Sequence, residues 1–235
     1  MMYETLAHFY DALVSDEEAT SAWVALIERN IPKGKVMELA CGSGEITIAL
    51  AQHGYEVHAN DISESMIEQA KLKHDSDKVR FSLMDMCQIE DDETYDGVLC
   101  LCDSFNYILE EEKVEKMLKD VVAHLKEDGT FIMDMHSLDR LVEFKDIYEE
   151  AGNLNGQNYQ WTIESDDDYI YQTFAFYDES GNSTMEYHVQ RVYDPLKIKE
   201  MLIKVGFEVH ILTDFDQEGI CAGEKQFYIC KKVNK

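Results

Sequence analysis

Apolar and polar positions along this chain follow two periods, and the switches between them mark out the elements. Val36, Met37 and Leu39 make a short apolar run that holds one acid, Glu38. The small-residue turn Cys41-Gly42-Ser43-Gly44 follows, and then Ile46, Ile48, Ala49 and Leu50 recur at mixed helical spacing. This predicts a strand, a tight turn and a helix, with His53-Gly54 as the stop. A second strand is expected over 55–60, ending at Asp61. Ser63 opens a helix to about His74, and 79–83 is the third strand. The run 95–102 is almost wholly apolar, as in a parallel strand buried on both faces. A helix over about 110–125 turns Val114, Met117, Leu118, Val121 and Leu125 inward. Asp128-Gly129 then turns into a fifth strand over 130–135, ending at His136.

Either side of this core the pattern differs. Ser15-Asp16-Glu17-Glu18 has the form of a capping box and predicts a helix to about Asn30, with Trp23, Leu26 and Ile27 inward. Pro32-Lys33-Gly34 breaks it. After His136 the simple alternation stops. A short helix is expected over 138–148 and a polar loop over 152–158. Three aromatic, alternating runs follow at 159–164, 169–177 and 184–193, the last two joined by the turn Asp178-Glu179-Ser180-Gly181-Asn182. They read as an antiparallel sheet with one buried face. Asp194-Pro195 opens a helix that stops at Gly206, and strands at 207–213 and 225–231 close the chain. The class is α/β, with an antiparallel β insertion after the fifth strand.

Composition narrows the picture. The 235 residues suffice for one large α/β domain, or one with a sizeable insertion. No run of eighteen apolar residues exists, so no spanning helix and no membrane partner are expected. Met1-Met2-Tyr3-Glu4 lacks the basic and apolar parts of a signal peptide, which gives a cytoplasmic expectation. Forty-eight acids against 21 bases leave a formal charge of −27. A nucleic-acid partner is therefore not expected, and the acidity serves solubility. Of the six cysteines (41, 87, 100, 102, 221 and 230), none sits at Cys-x-x-Cys or zinc spacing. No metal site is expected, and reduced, buried thiols are, with Cys100 and Cys102 on one side of a strand.

The candidate chemistry gathers at the glycine turn. Gly42 and Gly44 open backbone conformations and let a ligand approach the main chain, and the next helix points free N–H groups at it. The full dinucleotide fingerprint has a third glycine where this chain has Thr47. Glu38 would repel a pyrophosphate and suits a cationic ligand. Asp61 follows Gly42 by 19 positions, near the ~20 expected of an acid that reaches a ribose hydroxyl; its other reading is a helix N-cap, a job that suits Ser63 better.

This pattern resembles motif I of the class I S-adenosylmethionine-dependent methyltransferases, and the layout is similar to bacterial small-molecule enzymes, among them sugar N-methyltransferases. The resemblance implies a Rossmann-like seven-stranded sheet with helices on both faces and an antiparallel final strand. It implies a helical cover at 1–34, a cofactor domain at 35–136 and 194–235, and a substrate or lid subdomain at 137–193. The cofactor implied is S-adenosyl-L-methionine. Glu38, Ala40, Gly42, Ser43, Gly44 and Asp61 would hold its methionine and ribose parts. Ile62, Met66, Asp85 and Met86 would lie at the adenine, with Asp85 either accepting from its amino group or standing as a surface loop acid, and Met66 either packing on the ring or simply apolar filling. Leu101 and Ser104 would face the donor, and Tyr10 is a lid residue or a packing residue. Tyr107 and His136, at the ends of the fourth and fifth strands, are the catalytic candidates. Tyr107 suits orientation more than deprotonation, and His136 is a base or a satisfied loop histidine. Arg191 either holds an acidic group of the acceptor or pairs with Glu186 or Asp194.

The function implied is methyl transfer to N or O of a small-molecule acceptor by a monomer or homodimer. Two alternatives stand beside it. One is an NAD-type oxidoreductase, against which Glu38, Thr47 and the lack of a hydride-transfer site count. The other is a non-catalytic cofactor-binding module that uses the aromatic insertion for contact.

Overall fold

A computed structural model describes residues 6–154, 156–178 and 180–233. In chain order, α1 (Tyr10–Val14) and α2 (Glu17–Asn30) precede β1 (Lys35–Leu39), α3 (Glu45–Gln52), β2 (Glu56–Asp61), α4 (Glu64–Leu72), β3 (Val79–Leu83) and β4 (Tyr95–Cys100). Then come α5 (Glu111–His124), β5 (Leu125–His136), α6 (Asp139–Glu143), β6 (Tyr148–Leu154), β7 (Gln157–Asp166), β8 (Tyr169–Tyr177) and β9 (Ser183–Arg191). The chain closes with α7 (Pro195–Val205), β10 (Phe207–Thr213), β11 (Gln217–Glu218) and β12 (Lys225–Lys232).

The main sheet has the order β11-β10-β12-β5-β4-β1-β2-β3. Strands β3, β2, β1, β4 and β5 run parallel, and β12 enters antiparallel between β5 and β10. The two-residue β11 adds an eighth strand to the expected seven. Alternate side chains of the inner strands feed two cores. Met37, Val98, Phe131 and Tyr228 pack with Val114, Leu118 and Ile198 of α5 and α7. Val36, Leu99, Ile132 and Phe227 pack with Trp23, Ile27, Ile46 and Leu50 of α2 and α3. Each fully buried aliphatic or aromatic side chain contributes about 1.5–3 kcal/mol of transfer free energy. Burial on both faces explains the near-continuous apolar run of β4.

The four-stranded sheet β6-β7-β8-β9 is antiparallel throughout. Pairing of Trp161 with Phe174, Gln172 with His188, and Ile170 with Gln190 puts these residues on one face. The opposite face carries Tyr171 and the exposed Met185 and Tyr187.

Several expectations are corrected. The N-cap of α2 is Asp16, which accepts from Glu18 and Ala19 N–H; Ser15 donates instead to Glu45. The helix over 138–148 shrinks to α6, and the expected polar loop at 152–158 belongs to a β6–β7 hairpin. Asn153 and Asn158 bond to each other across it at 2.7 Å, so cross-strand pairing overrides polar composition. The insertion therefore has four strands rather than three. β5 begins at Leu125, with Asp128 in the left-handed region. α4 ends at Leu72 rather than near His74. β4 stops at Cys100, and Cys102 (φ 56°) and Asp103 (φ 58°) form a left-handed turn, so the two cysteines do not share a strand face. Cys102 and Cys221 are exposed rather than buried. Residues 1–5 of the expected cover and Glu179 of the expected turn lie outside the described residues.

Candidate active site

β1 delivers its chain into a loop from Ala40 to Gly44 in which Ala40 (φ 53°), Gly42 (φ 54°) and Gly44 (φ 76°) are all left-handed. Gly enters that region freely, and Ala at a steric cost. A Cβ on Gly44 would sit 3.0 Å from the Ala70 Cβ, so α4 packs close because residue 44 has none. Beside Gly42 the space is open, with nothing within 4 Å of a built Cβ.

Two acids frame this loop. Asp61 Oδ2 accepts the Gly42 N–H and Oδ1 the Ser63 N–H, both at 2.8 Å. Burial raises the Asp61 carboxyl, and those N–H groups oppose the rise. Ser63, not Asp61, caps α4 through Met66 N–H. Glu38 is 3 % exposed and accepts the Thr47 hydroxyl at 2.5 Å. Burial pushes Glu38 up to about 7; the Thr47 bond opposes this and the Asp61 charge adds to it. Thr47, where the dinucleotide fingerprint would have glycine, is thus the hydroxyl that serves Glu38.

The N-terminal segment is clasped onto the loop. Ser43 Oγ donates to Asp11 Oδ1 at 2.5 Å, and Lys73 Nζ lies 2.7 Å from Asp11 Oδ2 and 3.2 Å from Ser43 Oγ. Phe9 stacks on Phe176 with centroids 5.3 Å apart, and the Leu6 N–H donates to Glu186 Oε1 at 2.9 Å. The cover therefore touches both the glycine loop and the inserted sheet. Tyr10 lies between them in the wall of the cleft, and burial pushes its phenol up.

The cleft so enclosed measures about 920 Å³. Glu38, Ala40, Gly42, Ser43 and Asp61 line one end. Ile62, Met66, Asp85 and Met86 line the adjoining side, with Asp85 Oδ1 accepting the Cys87 N–H. Leu101 and Ser104 line the floor, the Ser104 hydroxyl 3.4 Å from the Ala40 carbonyl. Gly44 stands behind the lining, at the start of α3.

At the far end the ends of β4, β5 and β12 meet the insertion. Lys225 Nζ lies 2.5 Å from Asp103 Oδ1 and 3.4 Å from Asp134 Oδ2. Burial would raise the Asp103 carboxyl, but His136 and Lys225 outweigh it and hold it below the usual carboxylate range. Burial raises Asp134, with Lys225 opposing. Burial holds His136 below its ordinary value, and the Asp103 charge opposes. The main-chain N–H of His136 donates to Asn106 Oδ1 at 3.0 Å. Tyr107 also lines the cleft, its hydroxyl 3.5 Å from His188 Nδ1.

Arg191 is not with them. Its guanidinium is bound by Asp168 at 2.8 Å, the Leu109 carbonyl at 3.0 Å and Glu111 at 3.4 Å, and it lies away from the cleft lining. Neither of the expected ion-pair partners is the one used; Glu186 turns instead to Leu6. The sequence reading missed Lys225, and with it the pairing of Asp103, and the insertion residues Trp161, Gln172 and Gln190. The one local signal was a polar group directly after the apolar run of β4; the partners lie 31 to 122 positions away, too far for any periodicity to link them.

A model of the methyltransferase domain matches residues 36–129. "Putative methyltransferase YqeM" of Bacillus subtilis is 33% identical over 99% of this chain and 98% of its own length. An S-adenosylmethionine-dependent methyltransferase from Clostridium acetobutylicum, known as a crystal structure, superposes with a TM-score of 0.84 at 25% identity, over 99% of both chains. The sugar N-methyltransferase KedS8 from a Streptoalloteichus species shares the fold, with a TM-score of 0.80 at 19% identity over 98% of this chain and 94% of that one.

Proposed function

This chain belongs to the S-adenosylmethionine-dependent methyltransferases, and from that premise we propose that it methylates a nitrogen or oxygen atom of a small-molecule acceptor held beneath the four-stranded sheet. The NAD-dependent alternative falls away with that membership.

The residues present fit the cofactor. Open space beside Gly42 admits a ligand against the main chain. Asp61 uses one N–H bond per oxygen, which leaves each carboxylate oxygen a lone pair for a ribose hydroxyl. Glu38 is a buried acid bonded to a hydroxyl, and an ammonium group nearby would favour its ionised form. In this reading Glu38 and the loop residues Ala40, Gly42 and Ser43 hold the methionine part, and Gly44, behind the lining, lets α4 pack close under the loop. Ile62, Met66, Asp85 and Met86 hold the adenine, and Leu101, Ser104 and Tyr10 close on the donor end.

When bound, the cofactor supplies a methyl group activated on a sulfonium. The chain's own contribution is position: it must hold the acceptor atom ~3 Å from that carbon, in line. Tyr107 orients an amine or hydroxyl by hydrogen bonding, and His136, kept neutral by burial, is the group able to relieve it of a proton.

The observation that carries this reading is the single cleft that joins the glycine loop to the aromatic face of the insertion. Incubation with radiolabelled methyl donor and a mixed panel of small amines and hydroxylated compounds tests it. Label is expected in a small acceptor. Label found only in added protein or nucleic acid would overturn the assignment.

A further inference from the structure

One face of the inserted sheet carries a row of amide and indole groups whose direction follows from the members that can only donate or only accept. The Trp161 indole N–H is a donor only. It donates to Gln172 Oε1 at 3.2 Å. The Gln172 nitrogen must then point the other way, where Nε2 donates to Gln190 Oε1 at 2.8 Å. At the opposite end Gln190 Nε2 faces the main-chain carbonyl of Asp103 at 3.4 Å, a group that can only accept. Both ends therefore agree that Gln190 turns its oxygen toward β5.

That oxygen lies 3.2 Å from His136 Nε2, and the Asp103 carboxylate faces the same nitrogen at 3.7 Å. Two acceptors on one ring nitrogen require it to carry the proton. On the other side His136 Nδ1 is buried with no hydrogen-bond partner among the described residues, so nothing there competes for the tautomer.

We propose that Trp161, Gln172 and Gln190, one residue from each of β7, β8 and β9, form a positioning relay that locks neutral His136 with its proton on Nε2 and its lone pair on Nδ1. His136 thus turns its N–H, and not its lone pair, toward the Asp103 carboxylate. Any proton the ring takes up is taken at Nδ1, with the Asp103 carboxylate behind it to balance the imidazolium. The consequence for methyl transfer rests on the acceptor site proposed above; the tautomer itself does not.

The test is a long-range proton–nitrogen correlation spectrum of the free protein with 15N-labelled histidine, the His136 signals being those lost in His136→Gln. A protonated Nε2 and an unprotonated Nδ1 are expected at neutral pH. Gln172→Glu keeps the shape but can only accept, so the Gln190 amide turns its nitrogen toward His136 and an Nδ1–H population appears. Trp161→Phe removes the end donor and moves the populations in the same direction. A wild-type proton on Nδ1 overturns the relay, as does a pattern unchanged in both variants when circular dichroism shows them folded. Because neither donor nor acceptor is present, a failed relay and a failed acceptor assignment give different results.

Discussion

At the scale of single residues, two ionisable groups, the buried Glu38 and the partly buried Lys225, set the chemistry of the cleft. Glu38 titrates near 7 in the fold because burial disfavours its charge. Its folded value lies above the ~4.3 of an unfolded chain. Its contribution to stability is therefore complete below that value and is lost as pH rises through about 7. Two opposite effects follow for Glu38→Gln. The free protein should melt about 2–4 °C higher at pH 8 for each kcal/mol recovered, seen by calorimetry. Affinity for S-adenosylmethionine should fall roughly tenfold, about 1.4 kcal/mol, and titration calorimetry should show no rise between pH 6 and 8 in the variant where a rise is expected of the wild type. Lys225 is the second case. Lys225→Met leaves Asp103 and the fully buried Asp134 without their cation and should cost about 3–5 kcal/mol in urea unfolding at pH 8. The loss should shrink at pH 5, where Asp134, whose carboxyl is raised by burial, is protonated. Glu38 was legible in the sequence because it interrupts a short apolar run beside a glycine turn. Asp134 and Lys225 were not, because an acid in one strand and a base in another declare themselves a pair only once β12 lies against β5.

At the scale of elements, the cover and the insertion form one roof through Phe9, Leu6, Phe176 and Glu186. The clasp Asp11–Ser43–Lys73 ties that roof to the glycine loop. Asp11 and Lys73 are partly exposed, and such pairs contribute only about 0–1 kcal/mol. Asp11→Asn should therefore leave the melting temperature within about 2 °C while S-adenosylmethionine leaves several-fold faster in stopped-flow displacement. A large stability loss with unchanged dissociation would show that the clasp serves folding instead. Most elements of the core were legible from period alone, β3 and β10 to the residue. The hairpin strand β6 was not, because Gly152 and Asn153 are loop-forming residues whose pairing comes from β7 and not from their own propensity.

At the scale of the whole molecule, the formal charge of −27 sets a field that opposes compaction. Raising sodium chloride from about 0.02 to 0.3 M should lift the melting temperature by a few degrees through screening. A flat response would mean that the charge is already balanced locally by the ion pairs on the surface. No helix among the described residues is long and apolar enough to cross a membrane.

The sequence alone determined the parallel core and the glycine loop with its two acids, which suit a cationic ligand, because these are local: residue type, period and short spacing carry them; the cofactor itself came from the family resemblance that this loop carries. The tertiary structure alone decided how the cleft is closed and furnished. It freed the cleft of Arg191, paired Asp103 with Lys225, clasped Asp11 to Ser43, and brought Trp161, Gln172 and Gln190 to His136. Those outcomes depend on strand order and on the register of a second sheet, and contacts between residues dozens of positions apart leave no periodic trace in the chain.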